Sequence, residues 1–186
     1  MIGPKISGKN TLATALVERS NAKLLNFNKF CEENDLAGKS DDDVVLALIQ
    51  QLSQEISPRV VITDFPQTAY QAKFFVKNGV HPHRVFILNC SKDSCQERML
   101  QVPVNASNYL PSSLLSKKIG QYNENLKELL PFLKANTETV EVSSEGSFVN
   151  SFKQICASIE PTVISVRSSG SKDATAAKNA IMAGLV

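Results

Sequence analysis

Two short runs, "RVVITDFP" at 59–66 and "HRVFILNC" at 83–90, constrain this chain more than any other feature. Each is β-branched and apolar without polar alternation, the signature of a strand buried on both faces. Around them lie stretches of helical pattern: "TLATALVERS", "SDDDVVLALIQQLSQEI", "TAYQAKFFVKNG", "SKDSCQERMLQ", "LLSKKIGQYNENLKELLPFLKAN" and "GSFVNSFKQICASIE". The second of these starts on Ser40 as an N-cap, with Asp41, Asp42 and Asp43 in the first turn where negative charge complements the helix dipole. "AKLLNFNKF" reads as a short extended run, "TVEVSS" as a strand and "VPVNASNYLPSS" as a loop. Strands alternating with helices predict an α/β fold built on a parallel sheet covered on both faces, with ligands at the carboxyl ends of the strands.

The chain has 186 residues, enough for one compact domain and a short appendage. We assign the domain to 1–160 and the appendage to 161–186. Its 20 basic and 18 acidic residues are interspersed, so no concentrated basic face of the kind that binds nucleic acid is expected. No apolar run approaches the roughly 20 residues that cross a bilayer, so no membrane span is expected. Cys31, Cys90, Cys95 and Cys156 lack the close paired spacing of a zinc site and read as reduced thiols of a cytoplasmic protein. His81 and His83 read as a solvated turn before a strand, for want of a supporting cluster of ligands.

The opening "MIGPKISGKNT" is the candidate site. Gly3, Gly8 and Lys9 satisfy most of the G-x-x-x-x-G-K pattern, with Asn10 and then Thr11 after the lysine. Glycines let backbone N–H groups converge on phosphate, the following helix adds positive potential, and the lysine reaches the outer phosphates. Such clusters also arise by chance in surface turns, but this one stands at the mouth of a helix. Only Met1 and Ile2 precede Gly3, too few for the strand of about five or six residues that normally launches such a loop. Asp64, at the end of the first buried run, falls on the same edge, either as a magnesium ligand or as a strand-end carboxylate bonded to backbone.

Taken in order, "GPKISGKNT", "AGKSDDDVVLALIQQL", "VVITDFPQTAYQA", "RVFILNCSKDSCQERM", "SKKIGQY" and "VSSEGSFVNSFKQIC" resemble the adenylate kinase family in its short-lid form. The resemblance implies a P-loop nucleoside kinase fold, a three-layer parallel sheet flanked by helices, here with its first strand apparently missing. It implies an ATP site on Gly3, Pro4, Lys5, Ile6, Ser7, Gly8, Lys9, Asn10, Thr11 and Arg98, with Mg²⁺ accompanying ATP at Asp64. It implies a monophosphate site at Gln67 and Gln71, and catalytic cations at Lys9 and Lys118. The same resemblance shows where the chain departs. Ile6 and Asn10 stand at family glycines, each adding a Cβ where backbone must approach phosphate or take unusual dihedrals. Gln67, Cys31 and Val102 stand at arginines, and Lys118 keeps the charge but loses the fork.

Arginine forks bind phosphate oxygens bidentately and stabilise the moving phosphoryl group, so losing several should leave little turnover. The expectation is a degenerate adenylate kinase-like domain that binds ATP, and in the family AMP, with weak or lost phosphoryl transfer. The alternative is a non-catalytic nucleotide-sensing or structural module in a larger assembly of kinase-like repeats, for which a ciliary setting is one the resemblance permits. The tail, "TVISVRSSGSKDATAAKNAIMAGLV", follows a strand with a Ser/Gly loop and an Ala-rich helical pattern. It reads as a flexible extension, as the start of a second kinase-like repeat, or as a strand, Thr162 to Val166, that completes this sheet or a neighbour's.

Overall fold

The computed structural model describes residues 1–159. The tail and the expected boundary at 160 lie outside the described residues.

Four short strands alternate with seven helices among the described residues. Helix α1 (Lys9–Ser20) follows the opening loop, and β1 (Lys23–Asn26) leads directly into α2 (Phe27–Glu33). Then come α3 (Asp41–Ser53), β2 (Val60–Thr63), α4 (Ala69–Lys77), β3 (Arg84–Asn89) and α5 (Lys92–Leu100). The chain continues through α6 (Ser112–Asn136), β4 (Glu138–Ser143) and α7 (Phe148–Ile159). The extended reading of "AKLLNFNKF" is corrected: the chain turns helical at Phe27, because the Asn26 side chain caps the turn by accepting from the Lys29 N–H at 3.0 Å. The Ser40 hydroxyl caps α3 by accepting from the Asp43 N–H at 3.2 Å, with the three aspartates in the first turn.

All strand pairing is parallel. β1 pairs with β2, from Lys23↔Val60 to Asn26↔Thr63, and β3 pairs with β4, from Arg84↔Glu138 to Asn89↔Ser143. Met1 and Ile2 join the two ribbons. The Met1 amine donates to the Ile62 carbonyl at 2.6 Å and its carbonyl accepts from the Asp64 N–H at 3.2 Å. Ile2 bonds the other ribbon, donating to Phe86 O and accepting from Leu88 N, each at 2.9 Å. Two residues are too short for a strand, yet they occupy the position between β2 and β3.

Successive side chains of β3 point to opposite cores, as strand geometry requires. Phe86 and Leu88 pack with Leu12 and Leu16 of α1 and Ile155 of α7. Val85 and Ile87 pack with Ala69 and Ala72 of α4 and Leu129 and Leu133 of α6. A third cluster, around Phe27, Leu48, Phe65 and Phe75, ties α2 and α3 to the end of β2. Helices therefore anchor the strands while the segments after β1, β2 and β3 and the loop at Gly3 gather at one edge.

Candidate functional site

The loop from Gly3 to Gly8 follows the two bridging residues. A Cβ on Gly3 would come within 2.8 Å of the Ser7 hydroxyl oxygen and 2.9 Å of Leu88 Cβ, so the position admits no side chain without movement. The Ser7 N–H closes a turn onto Pro4 O at 3.3 Å. Gly8 takes φ +86° and caps α1 without a side-chain bond, which leaves the first N–H groups of a twelve-residue helix facing the edge. Ile6 takes φ +64°, a left-handed conformation that costs a β-branched residue free energy. Asn10 has no such problem: it lies inside α1, exposed, and its Oδ1 accepts from Asn26 Nδ2 at 3.2 Å. Thr11 and Asn10 are exposed, whereas Ser7 is buried and its hydroxyl finds no partner among the described residues.

Lys9 turns back into the loop. Its Nζ donates to Pro4 O at 3.0 Å and pairs with Asp64 Oδ1 at 3.1 Å, with both side chains largely buried. Burial pulls the Lys9 ammonium below the ordinary lysine range, and the Asp64 charge opposes that pull. Asp64 itself sits at φ +64°, a conformation Asp tolerates better than most residues, and its Oδ2 accepts from Asn26 Nδ2 at 3.3 Å. Asn26 thus links α1, β1 and β2 through one side-chain amide. Sequence reasoning passed over it; the signal was an Asn placed between an apolar run and a helix start.

Arg98, the expected ATP-base residue, reaches the same loop from α5. Its Nη1 lies 3.4 Å from Ile6 O and 3.5 Å from Cys90 Sγ, and its Nη2 donates to Ser144 O. Close by, Glu145 accepts from the Ser91 N–H and from the Ser91 and Ser94 hydroxyls. The Ser94 and Ser91 donors hold Glu145 below the usual carboxylate range. A cavity of about 260 Å³ opens between these groups and the loop, lined by Pro4, Asn89, Ser91, Tyr122, Ser143 and Glu145. Burial raises the Tyr122 hydroxyl above its ordinary pKa, and no described group accepts its proton.

Gln67 and Gln71 come together, but with each other and with the protein. Gln71 is buried; its Oε1 accepts from the Gln67 N–H at 2.9 Å and its Nε2 donates to Asp41 Oδ1 at 2.7 Å. Gln67 Nε2 donates to Asn28 Oδ1 at 2.9 Å, and Tyr70 donates to Asp42 Oδ1 at 2.6 Å. Asp41 and Asp42 therefore hold α4 to α3 in addition to starting α3. Lys118 is exposed on α6, and among the described residues no hydrogen bond or ion pair joins it to the loop.

Over 180 residues, the chain is 21% identical to adenylate kinase isoenzyme 5 from Bos taurus. It is a distant, adenylate kinase-like likeness. The match covers 86% of this chain and 32% of that protein, so the chain spans about a third of the length of the relative it matches. No protein-family profile matches the sequence. The mixed α/β architecture with parallel strands is consistent with a nucleotide kinase fold. No helix among the described residues is long and apolar enough to cross a membrane.

The distribution of guanidinium groups separates the two ends of the sheet. Arg19, Arg59 and Arg84 line a cavity at the end where β2 and β3 begin. Arg59 donates to Ser20 O and Arg84 pairs with Glu138 there. Among the described residues Arg98 is the guanidinium that touches the loop.

Proposed function

We propose that this chain is an adenylate kinase-like domain that holds a nucleoside triphosphate on Gly3–Thr11 and transfers its phosphoryl group weakly or not at all. The observation that carries the reading is the lysine of the loop, Lys9, drawn between Pro4 O and Asp64 at the open N-terminus of α1. An incoming phosphate supplies the negative charge that Asp64 supplies now, and the uncapped N–H groups of α1 donate to its remaining oxygens. In this reading the two parallel ribbons, joined through Met1 and Ile2, form one three-layer sheet with its ligand edge at the loop.

Asp64 is the candidate carboxylate for Mg²⁺. With Lys9 against one oxygen and Asn26 against the other, it fits a magnesium ion held through water and the nucleotide's own phosphates better than direct ligation. Bound there, the ion would neutralise phosphate charge. Among the described residues no group of three or more His, Cys, Asp or Glu side chains gathers to hold a metal.

Weak transfer follows from charge. Gln67, Cys31 and Val102 are neutral where the family resemblance places arginines, and among the described residues the other guanidinium groups, those of Arg19, Arg59 and Arg84, line the cavity at the far end, with Arg98 at the loop. One positioned cation of that kind contributes a factor of about 10³ or more in rate. The monophosphate residues Gln67 and Gln71 are engaged in internal hydrogen bonds, which favours a triphosphate-binding module over an exchanging kinase. Calorimetric titration with ATP and Mg²⁺ tests binding: heat is expected from the intact chain and at least tenfold weaker binding from Lys9→Met. Equal affinity in both proteins would sink the assignment of the loop.

A further inference from the structure

Helix α5 grips the loop at Ile6 from two sides. Cys95 and Arg98 stand three positions apart and share one face of the helix. The Ile6 side chain packs against the buried cluster that Cys95 forms with Met99, Leu115 and Ile119, and the Ile6 carbonyl accepts from Arg98 Nη1 at 3.4 Å. Ile6 is also the loop residue held at φ +64°, a conformation that a β-branched residue leaves unless something opposes it. The second guanidinium nitrogen is tied elsewhere: Arg98 Nη2 donates to Ser144 O. Ser144 is itself fixed, because its N–H donates to Asn89 O at 2.9 Å and the next residue, Glu145, accepts from the Ser91 N–H and from the Ser91 and Ser94 hydroxyls at the start of α5. Arg98 therefore ties the left-handed turn of the loop to a corner shared by β3, β4 and α5.

The tie reaches further than the residues it touches. A peptide unit is planar and trans, so its carbonyl and its N–H point in opposite directions and turn together. Holding Ile6 O thereby aims the Ser7 N–H, which donates to Pro4 O at 3.3 Å. Pro4 O also accepts from Lys9 Nζ at 3.0 Å, and Lys9 Nζ pairs with Asp64 Oδ1 at 3.1 Å. One connected run of polar contacts thus leads from Arg98 through the peptide between Ile6 and Ser7, and through Pro4 O, to Lys9 and Asp64. Ser7 and Lys9 are both buried, so these links act where a hydrogen bond is strong and water does not make good its loss.

We propose that Arg98 is a positioning residue of the loop: by tying Ile6 O to Ser144 O it sets the turn at Ser7 and, through Pro4 O, the place of Lys9. The consequence for binding rests on the loop being a triphosphate site; the bracing itself does not. The test uses the full chain, first without ligand. In Arg98→Met, hydrogen exchange of the Ser7 N–H and acylation of Lys9 by an amine-reactive ester are expected to quicken about tenfold or more, while the core amides of Ile87 and Leu88 keep their protection. Arg59→Met, which removes a guanidinium at the far end, should change neither. Unchanged Ser7 exchange or unchanged Lys9 acylation in Arg98→Met would overturn the proposal. Faster exchange at Ile87 and Leu88 along with Ser7 would overturn it too, because Arg98 would then be holding up the whole fold. Should Arg98→Met not fold, Glu145→Ala loosens the corner that holds Ser144 O and leaves the guanidinium in place; Ser7 exchange about threefold faster or more is expected there, and no change would overturn the proposal. Tripolyphosphate, which carries the phosphates and no base, then separates the roles. Its affinity is expected to fall about tenfold or more in Arg98→Met. Tripolyphosphate bound equally by Arg98→Met and the intact chain, with ATP alone weakened, would make Arg98 a base contact and overturn the proposal. An intact chain that binds neither ligand would defeat the triphosphate reading, while exchange and acylation still decide the bracing.

Discussion

Gly3 and Ile6 mark opposite treatments of the loop backbone. Gly3 is held where even a methyl group meets Ser7 and Leu88, so Gly3→Ala should cost about 1–3 kcal/mol of stability through overpacking, read as a lower denaturant midpoint. An unchanged midpoint would mean that the loop is not seated against β3 as described. Ile6 keeps a left-handed conformation that Gly would adopt freely, and its side chain packs beside Cys95, Met99 and Leu115 instead. The left-handed turn of the loop is thus kept at a cost that apolar contact offsets. Cys95, in that cluster, has its thiol pushed up to about 12 by burial and by neighbouring Cys90, so it stays protonated and packs as an apolar group.

At the scale of elements, the sequence made some features plain and hid others. α3 was legible because its signals are local: Ser40, three aspartates, then apolar residues at helical spacing. β2 and β3 were legible because burial on both faces leaves continuous apolar runs. The start of α2 was not, because one Asn side chain outweighed the extended pattern of its neighbours. The loop residues were legible as a motif, yet the Lys9–Asp64 pair spans 55 positions and the Gln71–Asp41 bond 30, and no local pattern encodes such meetings. Nor did the sequence disclose that Met1 and Ile2 would bridge two ribbons.

At the scale of the molecule, the guanidinium groups among the described residues are sorted by end. Lys9, Asp64 and Arg98 meet at the loop, while Arg19, Arg59 and Arg84 line the cavity at the far end of the sheet. Under the proposed function this edge would dock a triphosphate through backbone N–H groups and Lys9, with Arg98 as the one touching guanidinium among the described residues and without the further forks that would follow a phosphoryl group in transit. Restoring them is a constructive check: a chain carrying Gln67→Arg, Cys31→Arg and Val102→Arg should gain at least tenfold in transfer rate while its ATP affinity changes little. No gain would place the deficit elsewhere, with the internally bonded Gln71 as the next element to release. The most direct measurement is the steady-state rate of phosphoryl transfer from ATP to AMP by the unaltered chain with Mg²⁺ at saturating substrates. The account predicts a rate below about 0.1 s⁻¹, and a rate in the range of roughly 1–100 s⁻¹ usual for kinases would contradict it.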